Sequence, residues 1–320
     1  MISSPPRHIG ITIPPNHGIG TGNLRTAQRL LKFLANQGHR VELLPADGLA
    51  DCEVLIALNA VKSFPAISRF HRSGQGKLVV VVTGTDLNRR DSEEWNQALT
   101  WADRIVVLQE RAKAVLSPEF QKKTEVIIQS VRPLPEAGER GERSGFQVCV
   151  VGHFREEKDP MLTALASRLL DFESAIQIRQ AGAILEERFL REIEDERFLN
   201  PRYQWLGELG RVEAQRLISE SDLMVLSSTS EGGPAVVGEA VVAGTPILAT
   251  RIDGVVGLLG EDYPGYFEPH DLVGLSKLMA KAESDQGFYQ ELKRAVSLKK
   301  EQYDPARESL NWAALLRKIE

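Results

Sequence analysis

The sequence predicts an α/β protein with two parallel β-sheets, and two observations lead to this prediction. Short runs of β-branched and aliphatic residues alternate along the chain with stretches of helical spacing, and most of these runs lack alternating polar residues. Such runs are typical of strands buried on both faces, as in sheets assembled from βαβ units. A polar stretch near the middle of the chain interrupts the pattern, which indicates two domains.

The first half of the chain predicts a Rossmann-like domain over residues 1–130. Its strand runs are HIGITI, RVELL, CEVLIALN, KLVVVV, DRIVVL and TEVIIQS. An amphipathic helix pattern, LRTAQRLLKFLANQG, comes between the first two runs. Residues 131–145 are rich in proline, glycine and charged residues, which predicts an exposed linker.

The second half repeats the alternation and predicts another Rossmann-like domain over residues 146–304. Its strand runs are FQVCVVG, SAIQIRQAG, YQWLG, DLMVLSS and TPILAT. Helices are predicted from about Pro160, through Glu186–Arg197, from Arg211 and from Pro234, with a covering helix over 305–320. Two parallel sheets that face each other would leave a central cleft, and ligands of such sheets bind beyond the carboxyl ends of the strands.

Charge and composition exclude several classes of protein. With 39 basic and 44 acidic residues, the chain has no overall basic field to attract nucleic acid. The charge is uneven, because residues up to Ser144 include 19 basic and 15 acidic side chains and the remainder 20 and 29. Both cysteines lie in apolar runs and are predicted to fill the core. We find no signal-peptide pattern and no membrane-spanning run, so we expect a cytoplasmic protein without stable membrane association.

The most informative segment is SSTSEGGPAVVGEAVVAGTPILAT, residues 227–250. A buried strand runs into a polar turn with Gly232 and Gly233, which let a ligand approach the backbone closely. Pro234 is predicted to be the first helical residue, where its missing N–H costs nothing. The amides of Ala235 and Val236 then project from a helix N-terminus, which is a favourable seat for a phosphate.

Two glutamates flank this seat. Glu231 precedes the glycines, and Glu239 lies one helical turn beyond Ala235. A diphosphate repels carboxylates, so these side chains are better suited to accept hydrogen bonds from the hydroxyls of a ribose or a hexose. Together with the phosphate seat, they predict a nucleotide-sugar site. The alternative interpretation is that Glu239 bonds within its own helix and Glu231 is solvated.

The segment VGHFREEKDP, residues 151–160, supplies cations at another strand end. Asp159 and Pro160 are predicted to be an N-cap and a first-turn proline, which leaves Arg155 and Lys158 on the preceding loop. A guanidinium fork and an ammonium group suit a diphosphate. His153 is predicted either to pack against the cleft wall or to have a catalytic or acceptor-binding role.

A glycine-rich turn, IPPNHGIGTGN, follows the first strand. Its spacing is G-x-G-x-G, and no acidic residue ends the second strand, so the pattern disfavours a dehydrogenase and favours a loop that contacts donor phosphate or acceptor. At the end of a further strand, Thr85 and Asp86 are predicted either to point toward the same cleft or to form a structural polar turn. The residues predicted from the glycine-rich turn are His17, Gly18, Gly20, Thr21, Gly22 and Asn23. Metal and cofactor motifs such as D-x-D, H-E-x-x-H and the Walker loop are not found, so neither a metal nor a cofactor is predicted.

The motifs E-G-G-x₅-E and G-x-x-R-x-x-K resemble the donor site of family 4 glycosyltransferases, which have the GT-B fold. Within that family, several runs are similar to the selenosugar synthases of selenoneine biosynthesis. These runs are GTDL at 84–87, LQ at 108–109, VGHFREEKDP at 151–160, WLGE at 205–208, SSTSEGGPAVVGEA at 227–240 and IDGVVGLLGEDYPGYF at 252–267.

The resemblance implies a UDP-sugar donor, UDP-N-acetylglucosamine or UDP-glucose, and selenophosphate as the acceptor. The product would be a 1-selenosugar with a new C–Se bond. By motif, Glu231 would bind hydroxyls of the donor sugar, Glu239 the ribose, and Arg155 with Lys158 the diphosphate.

The resemblance also implies that Gly207 and Glu208 cradle the uracil. The sequence departs from the family's pattern at Ala235 and Gly238, where Asn and Ser are expected, and this leaves the sugar preference open. Two other functions stay open on the residues alone. One is a metal-independent hexosyltransferase that acts on a hydroxyl of a lipid or glycan, and the other is a nucleotide-sugar-binding protein without turnover.

Overall fold

In the computed structural model, which describes residues 5–15, 22–45, 51–84, 86–133 and 145–319, the strands form two parallel six-stranded sheets. The chain divides into two units. The first comprises Met1–Ser130 and Asp304–Glu320, and the second Val131–Tyr303. The predicted α/β class with two parallel sheets is confirmed.

The first sheet has the strand order β2-β1-β3-β4-β5-β6. Its strands are β1 (His8–Thr12), β2 (Arg40–Leu44), β3 (Val54–Leu58), β4 (Lys77–Val81), β5 (Arg104–Val107) and β6 (Thr124–Val126). The helices of this part of the chain are α1 (Gly22–Asn36), α2 (Phe64–Ser73), α3 (Glu93–Trp101), α4 (Glu110–Ala114) and α5 (Pro118–Lys122). Every residue of β3 is buried, as expected for a central strand covered by helices on both faces.

The second sheet has the order β12-β11-β10-β7-β8-β9. Its strands are β7 (Phe146–Val151), β8 (Ile176–Ala181), β9 (Tyr203–Trp205), β10 (Leu223–Leu226), β11 (Ile247–Thr250) and β12 (Tyr266–Phe267). Its helices are α6 (Leu162–Ser167), α7 (Arg188–Leu199), α8 (Arg211–Glu220), α9 (Ala235–Ala243), α10 (Asp253–Leu259), α11 (Leu272–Ser284) and α12 (Gln286–Ser297). The strand order reverses between β7 and β10, which makes their carboxyl ends a topological switch point.

The last helix, α13 (Pro305–Arg317), packs in the first unit. Trp312 and Leu316 are buried in the apolar cluster that also contains residues of α1 and β1. Glu308, only 2% exposed, pairs with Arg29 of α1 and accepts the backbone N–H of Ser130 at 2.7 Å. The predicted covering helix thus contributes to the core of the sheet that comes first in the chain.

Within the described ranges, no helix is both long and apolar enough to cross a membrane. Cys52 and Cys149 are buried free thiols, as their apolar surroundings predict. Burial raises the pKa of the Cys149 thiol to about 12, so it stays protonated at neutral pH.

Candidate functional site

Two loops meet at the switch point of the second sheet. One follows β7 and carries the predicted cations, and the other follows β10 and carries the first predicted glutamate. The backbone N–H of Thr229 donates to the carbonyl of Glu157 at 2.8 Å. The Ser227 hydroxyl lies 2.9 Å from the carbonyl oxygens of both Lys158 and Asp159. Because β7 and β10 are neighbours, sequence segments about seventy residues apart form one bonded surface.

Lys158 and Glu231 form an ion pair on this surface, between Nζ and Oε1. Their side chains are 20% and 10% exposed, so the pair is mostly shielded but reachable by a ligand. The Ser228 hydroxyl also donates to Glu231 Oε1, at 2.8 Å. The Thr250 hydroxyl donates a hydrogen bond to the Ser228 carbonyl at 2.5 Å, which attaches the turn after β10 to β11. The structure therefore brings together one cation and one carboxylate that the sequence analysis placed in the site.

Gly254 sets the position of Glu231, and sequence reasoning did not identify it. A Cβ atom at Gly254 would collide with the backbone carbonyl of Glu231. Gly254 lies in the first turn of α10, so only a residue without a side chain lets that helix approach the turn this closely. In the sequence, Gly254 is marked only as a glycine that follows Asp253 and precedes an apolar run. That pattern does not reveal that Glu231 is its neighbour in space.

Helix α9 begins at Ala235, one residue later than predicted. Pro234 is its N-cap, with φ −69° and ψ 115°, and is not the first helical residue. The reason for the shift is that the chain is still extended at Pro234. Since proline has no side chain that can cap a helix, the first-turn amides of Ala235 and Val236 receive no capping from it. These amides and the helix dipole remain suited to an anion, and Gly232 and Gly233 stand directly before them.

Glu239 lies on α9 and is held from a neighbouring helix. Gln215 of α8, 8% exposed, donates from Nε2 to Glu239 Oε1 at 3.3 Å. A neutral amide donor orients a carboxylate without neutralising it. Sequence reasoning found Glu239 but missed Gln215, because the contact depends on how α8 packs against α9.

Gly238, one of the departures from the family's pattern, has a packing explanation. A Cβ atom there would lie 2.7 Å from the ring of Tyr303 and 3.0 Å from Val131 Cγ2. These two neighbours are the last and first residues of the second unit. A serine at this position would overlap the Tyr303 ring, so the glycine is required by this structure.

Arg155 lies on the loop after β7, as predicted, whereas Asp159 has a different role in the local backbone from the one predicted. Arg155 is the N-cap of a 3₁₀ turn over Glu156–Lys158, and its Nε lies 3.7 Å from Glu157 Oε2. Asp159 was predicted to be the N-cap of the next helix, and this is wrong. It ends the 3₁₀ turn in a left-handed conformation, with φ 41°, and its N–H bonds back to the Glu156 carbonyl, while Pro160 also precedes the next helix, which begins at Leu162.

His153 follows β7, and its tautomer can be deduced. Its Nδ1 accepts the backbone N–H of Ala183 at 3.2 Å, so Nδ1 carries no proton in this arrangement. Gly182, at the end of β8, has no room for a Cβ against the Gly152 carbonyl, which keeps the ends of β7 and β8 close together. The ring is therefore oriented by the neighbouring strand end.

Gly207 and Glu208 follow β9 at the edge of the same sheet. Gly207 has φ 75°, and its carbonyl accepts the N–H of Gly182 at 2.8 Å. Open space lies where a Cβ of Gly207 would be. Strand β9 is two strands from β7, or roughly 10 Å at ordinary strand spacing. Gly207 and the ion pair thus both follow the carboxyl ends of strands of the second sheet.

Asp86 in the first unit does not present its carboxylate to a ligand. The side chain is 1% exposed and accepts backbone N–H groups of Ala60 at 2.8 Å, Thr83 at 3.1 Å and Val61 at 3.3 Å. Burial raises its pKa to about 6 despite these hydrogen bonds. The predicted acceptor contact is therefore replaced by a structural role, in which Asp86 fixes the turn after β4.

The other residues predicted from the first unit are only partly described. Gly22 is the first residue of α1, Asn23 follows it, and Thr26 donates to the Gly22 carbonyl at 2.9 Å. Outside the described residues lie His17, Gly18, Gly20, Thr21 and Thr85. Among the side chains that the structure does describe, no group of three or more His, Cys, Asp or Glu residues is arranged to hold a metal ion.

Comparison with known proteins gives related sequences and similar structures. Glycosyltransferase 1 domain-containing protein 1 of Xenopus tropicalis is 24% identical over an alignment of 308 residues. The match covers 87% of this chain and 89% of the relative. A crystal structure of Anabaena HepE with UDP and glucose has a TM-score of 0.75 at 15% identity, covering 97% of this chain and 100% of that one. A sucrose-phosphate synthase from Thermosynechococcus elongatus has a TM-score of 0.79 at 14% identity, covering 98% and 99%.

These structural neighbours confirm the GT-B fold that the motifs predict. The family model of group 1 glycosyl transferases matches residues 136–299, a segment that contains the switch point, the Lys158–Glu231 pair and helix α9. Because this match covers half of the chain, the protein belongs to the group 1 glycosyl transferases.

Proposed function

We propose that the protein transfers a hexosyl group from a UDP-sugar, UDP-N-acetylglucosamine or UDP-glucose, to selenophosphate. The observation that carries the donor half of this proposal is the Lys158–Glu231 pair beside the N-terminus of α9, at a topological switch point. The ammonium group and the helix amides are suited to a diphosphate, and the carboxylate is suited to sugar hydroxyls. HepE, which shares the fold, has been crystallised with UDP and with UDP-glucose.

Donor binding would rearrange the ion pair. The diphosphate oxygens replace Glu231 as the partner of Lys158, and the released carboxylate then accepts hydrogen bonds from the hexose. Arg155, on the same loop, adds a second cation. Glu239, oriented by Gln215, accepts hydrogen bonds from the ribose, and the open space at Gly207 receives the uracil.

The chemical step then follows from charge. Negative charge develops on the departing UDP, and Lys158, Arg155 and the α9 dipole stabilise it. Selenium attacks C1 of the hexose as the bond from C1 to the diphosphate oxygen breaks, and the electron pair leaves with UDP. Water then cleaves the Se–P bond, which releases phosphate and the 1-selenosugar.

The selenophosphate acceptor is supported by the sequence runs and by the state of the acidic and basic side chains. Selenophosphate is an anionic, soft nucleophile that needs no strong base. Two side chains of the predicted site are already engaged, Asp86 with backbone amides and His153 Nδ1 with Ala183, and Glu231, once released from Lys158, accepts from the hexose. This arrangement favours an acceptor that arrives already deprotonated over a neutral hydroxyl.

The test is to incubate the protein with UDP-N-acetylglucosamine or UDP-glucose, with and without selenophosphate, and to follow UDP release together with the mass spectrum of the products. We expect UDP release that depends on selenophosphate, and a selenium-containing hexose. Release only with a hydroxyl acceptor, such as a glycan or lipid, would instead identify a conventional hexosyltransferase. Donor binding without release would identify a binding protein.

A further inference from the structure

An exposed histidine and a partly buried aspartate near the donor site share an unusual backbone conformation and bond to each other. Among the described non-glycine residues, positive φ angles occur at Asn59 (71°), Asp159 (41°) and His270 (63°). Asp159 and His270 are 111 positions apart, yet His270 Nδ1 lies 2.8 Å from Asp159 Oδ2. Because a carboxylate oxygen only accepts hydrogen bonds, Nδ1 is the donor.

The contact between His270 and Asp159 contributes little to the stability of the fold. The side chains of His270 and Asp159 are 72% and 22% exposed, and exposed pairs of this kind contribute little to folding. Left-handed backbone is uncommon in residues other than glycine, although Asp and His adopt it more often than most, and glycine adopts it freely. Strained residues that persist without a gain in stability are typical of functional sites.

The position of Asp159 connects this contact to the donor site. Asp159 follows Lys158 directly and ends the 3₁₀ turn that carries it. The Ser227 hydroxyl reaches the carbonyl oxygens of both residues, so one side of the turn is attached to β10. His270, in the loop between β12 and α11, holds the end of the turn through the Asp159 side chain.

We propose that His270 is a positioning residue for phosphate binding. By holding Asp159 in the left-handed conformation, it fixes the direction in which Lys158 leaves the backbone, and hence the place of its ammonium group beside α9. The inference rests on the proposed function, in which Lys158 stabilises the departing diphosphate. His270 lies on a third loop, between β12 and α11, and in this proposal it does not touch the substrate.

Two substitutions at His270 separate the contact from the backbone conformation. H270N keeps a nitrogen donor at the place of Nδ1, and asparagine tolerates the left-handed region. H270G also tolerates that region but removes the donor. We expect H270G to lower kcat for UDP release by roughly tenfold to a hundredfold, as for other misplacements of about an ångström, with a smaller change in donor KM. H270N should stay close to the wild type.

The Asp159 side of the contact provides a second test. D159G should lower kcat as H270G does, and the D159G/H270G double variant should be no worse than either single variant, since both remove one interaction. Additive losses would overturn the proposal, because they would show that the two residues act separately. D159N, which keeps an acceptor oxygen, is the matched control and should retain activity.

A measurement without substrate makes the inference independent of the proposed reaction. Amide hydrogen exchange over residues 156–159 of the ligand-free protein should be faster in H270G than in wild type or H270N, with no decrease in thermal stability. If the wild type transfers no sugar but exchange is still faster in H270G than in wild type and H270N, the proposed function fails and the positioning role of His270 stands. Equal exchange in H270G and wild type, or equal losses in H270N and H270G, would overturn the role of His270.

Discussion

The turn after β4 and the turn after β10 both place an acidic residue at the end of a parallel strand, and they use it in opposite ways. Asp86 points inward and receives three backbone N–H groups, whereas Glu231 receives an ammonium group and a hydroxyl from side chains. Backbone donors are fixed by the fold, but a lysine side chain can exchange partners. The first arrangement builds a rigid turn, and the second is an ion pair that, in the proposed function, the diphosphate of the donor separates.

The K158A substitution should lower kcat for UDP release by roughly a hundredfold to a thousandfold, because it removes a preorganised charge from the leaving group. Lys62, an exposed lysine of the first unit near Asp86, offers the matched control, and K62A should retain the wild-type rate. Steady-state kinetics of both variants provide the measurement. A K158A enzyme with near-normal turnover would refute the assigned role.

The inward carboxylate should instead appear in the pH dependence of stability. Since the pKa of Asp86 rises from 3.8 to about 6 on folding, the folded protein binds a proton between these pH values that the unfolded chain has released. The free energy of unfolding should therefore fall as pH rises from about 4 to 6, by as much as about 3 kcal/mol from this group. Denaturant unfolding of wild type and D86N at both pH values tests this, and D86N should show a flatter profile. Identical slopes would contradict the prediction.

E239A tests whether the carboxylate on α9 binds the neutral part of the donor. Loss of a charge-assisted hydrogen bond to the ribose should raise the donor KM by about tenfold, with a smaller effect on kcat. Initial rates over a range of donor concentrations measure both parameters. An unchanged donor KM would count against ribose binding.

The smallest effect is expected for Q215A. Gln215 orients Glu239 without touching the donor in the proposed mode, so its removal should raise the donor KM by a few-fold, less than E239A does. In the Q215A/E239A double variant the loss should equal that of E239A alone. A larger loss in the double variant would show that Gln215 acts on something other than Glu239.

Much of the fold and part of the site could be predicted because their signals are local. Strand runs and helix spacing indicated both parallel sheets, and the Gly-Gly-Pro run indicated the helix start that precedes Glu239 to within one residue. Asp159 shows where local rules fail. Asp-Pro is typical of a helix N-cap, but the 3₁₀ turn before it bonds Asp159 back to Glu156, and the helix starts later.

The parts that could not be predicted depend on which distant segments pack together. Gln215, Gly254 and His270 act through contacts with other loops or helices, and their neighbours in the chain do not reveal those partners. Likewise, the amphipathic pattern of α13 predicts a covering helix, but only the packed structure decides that it covers the first sheet. Periodicity and capping are properties of neighbouring residues. Partner choice depends on side-chain shape and burial across the whole chain, so the tertiary structure alone decides it.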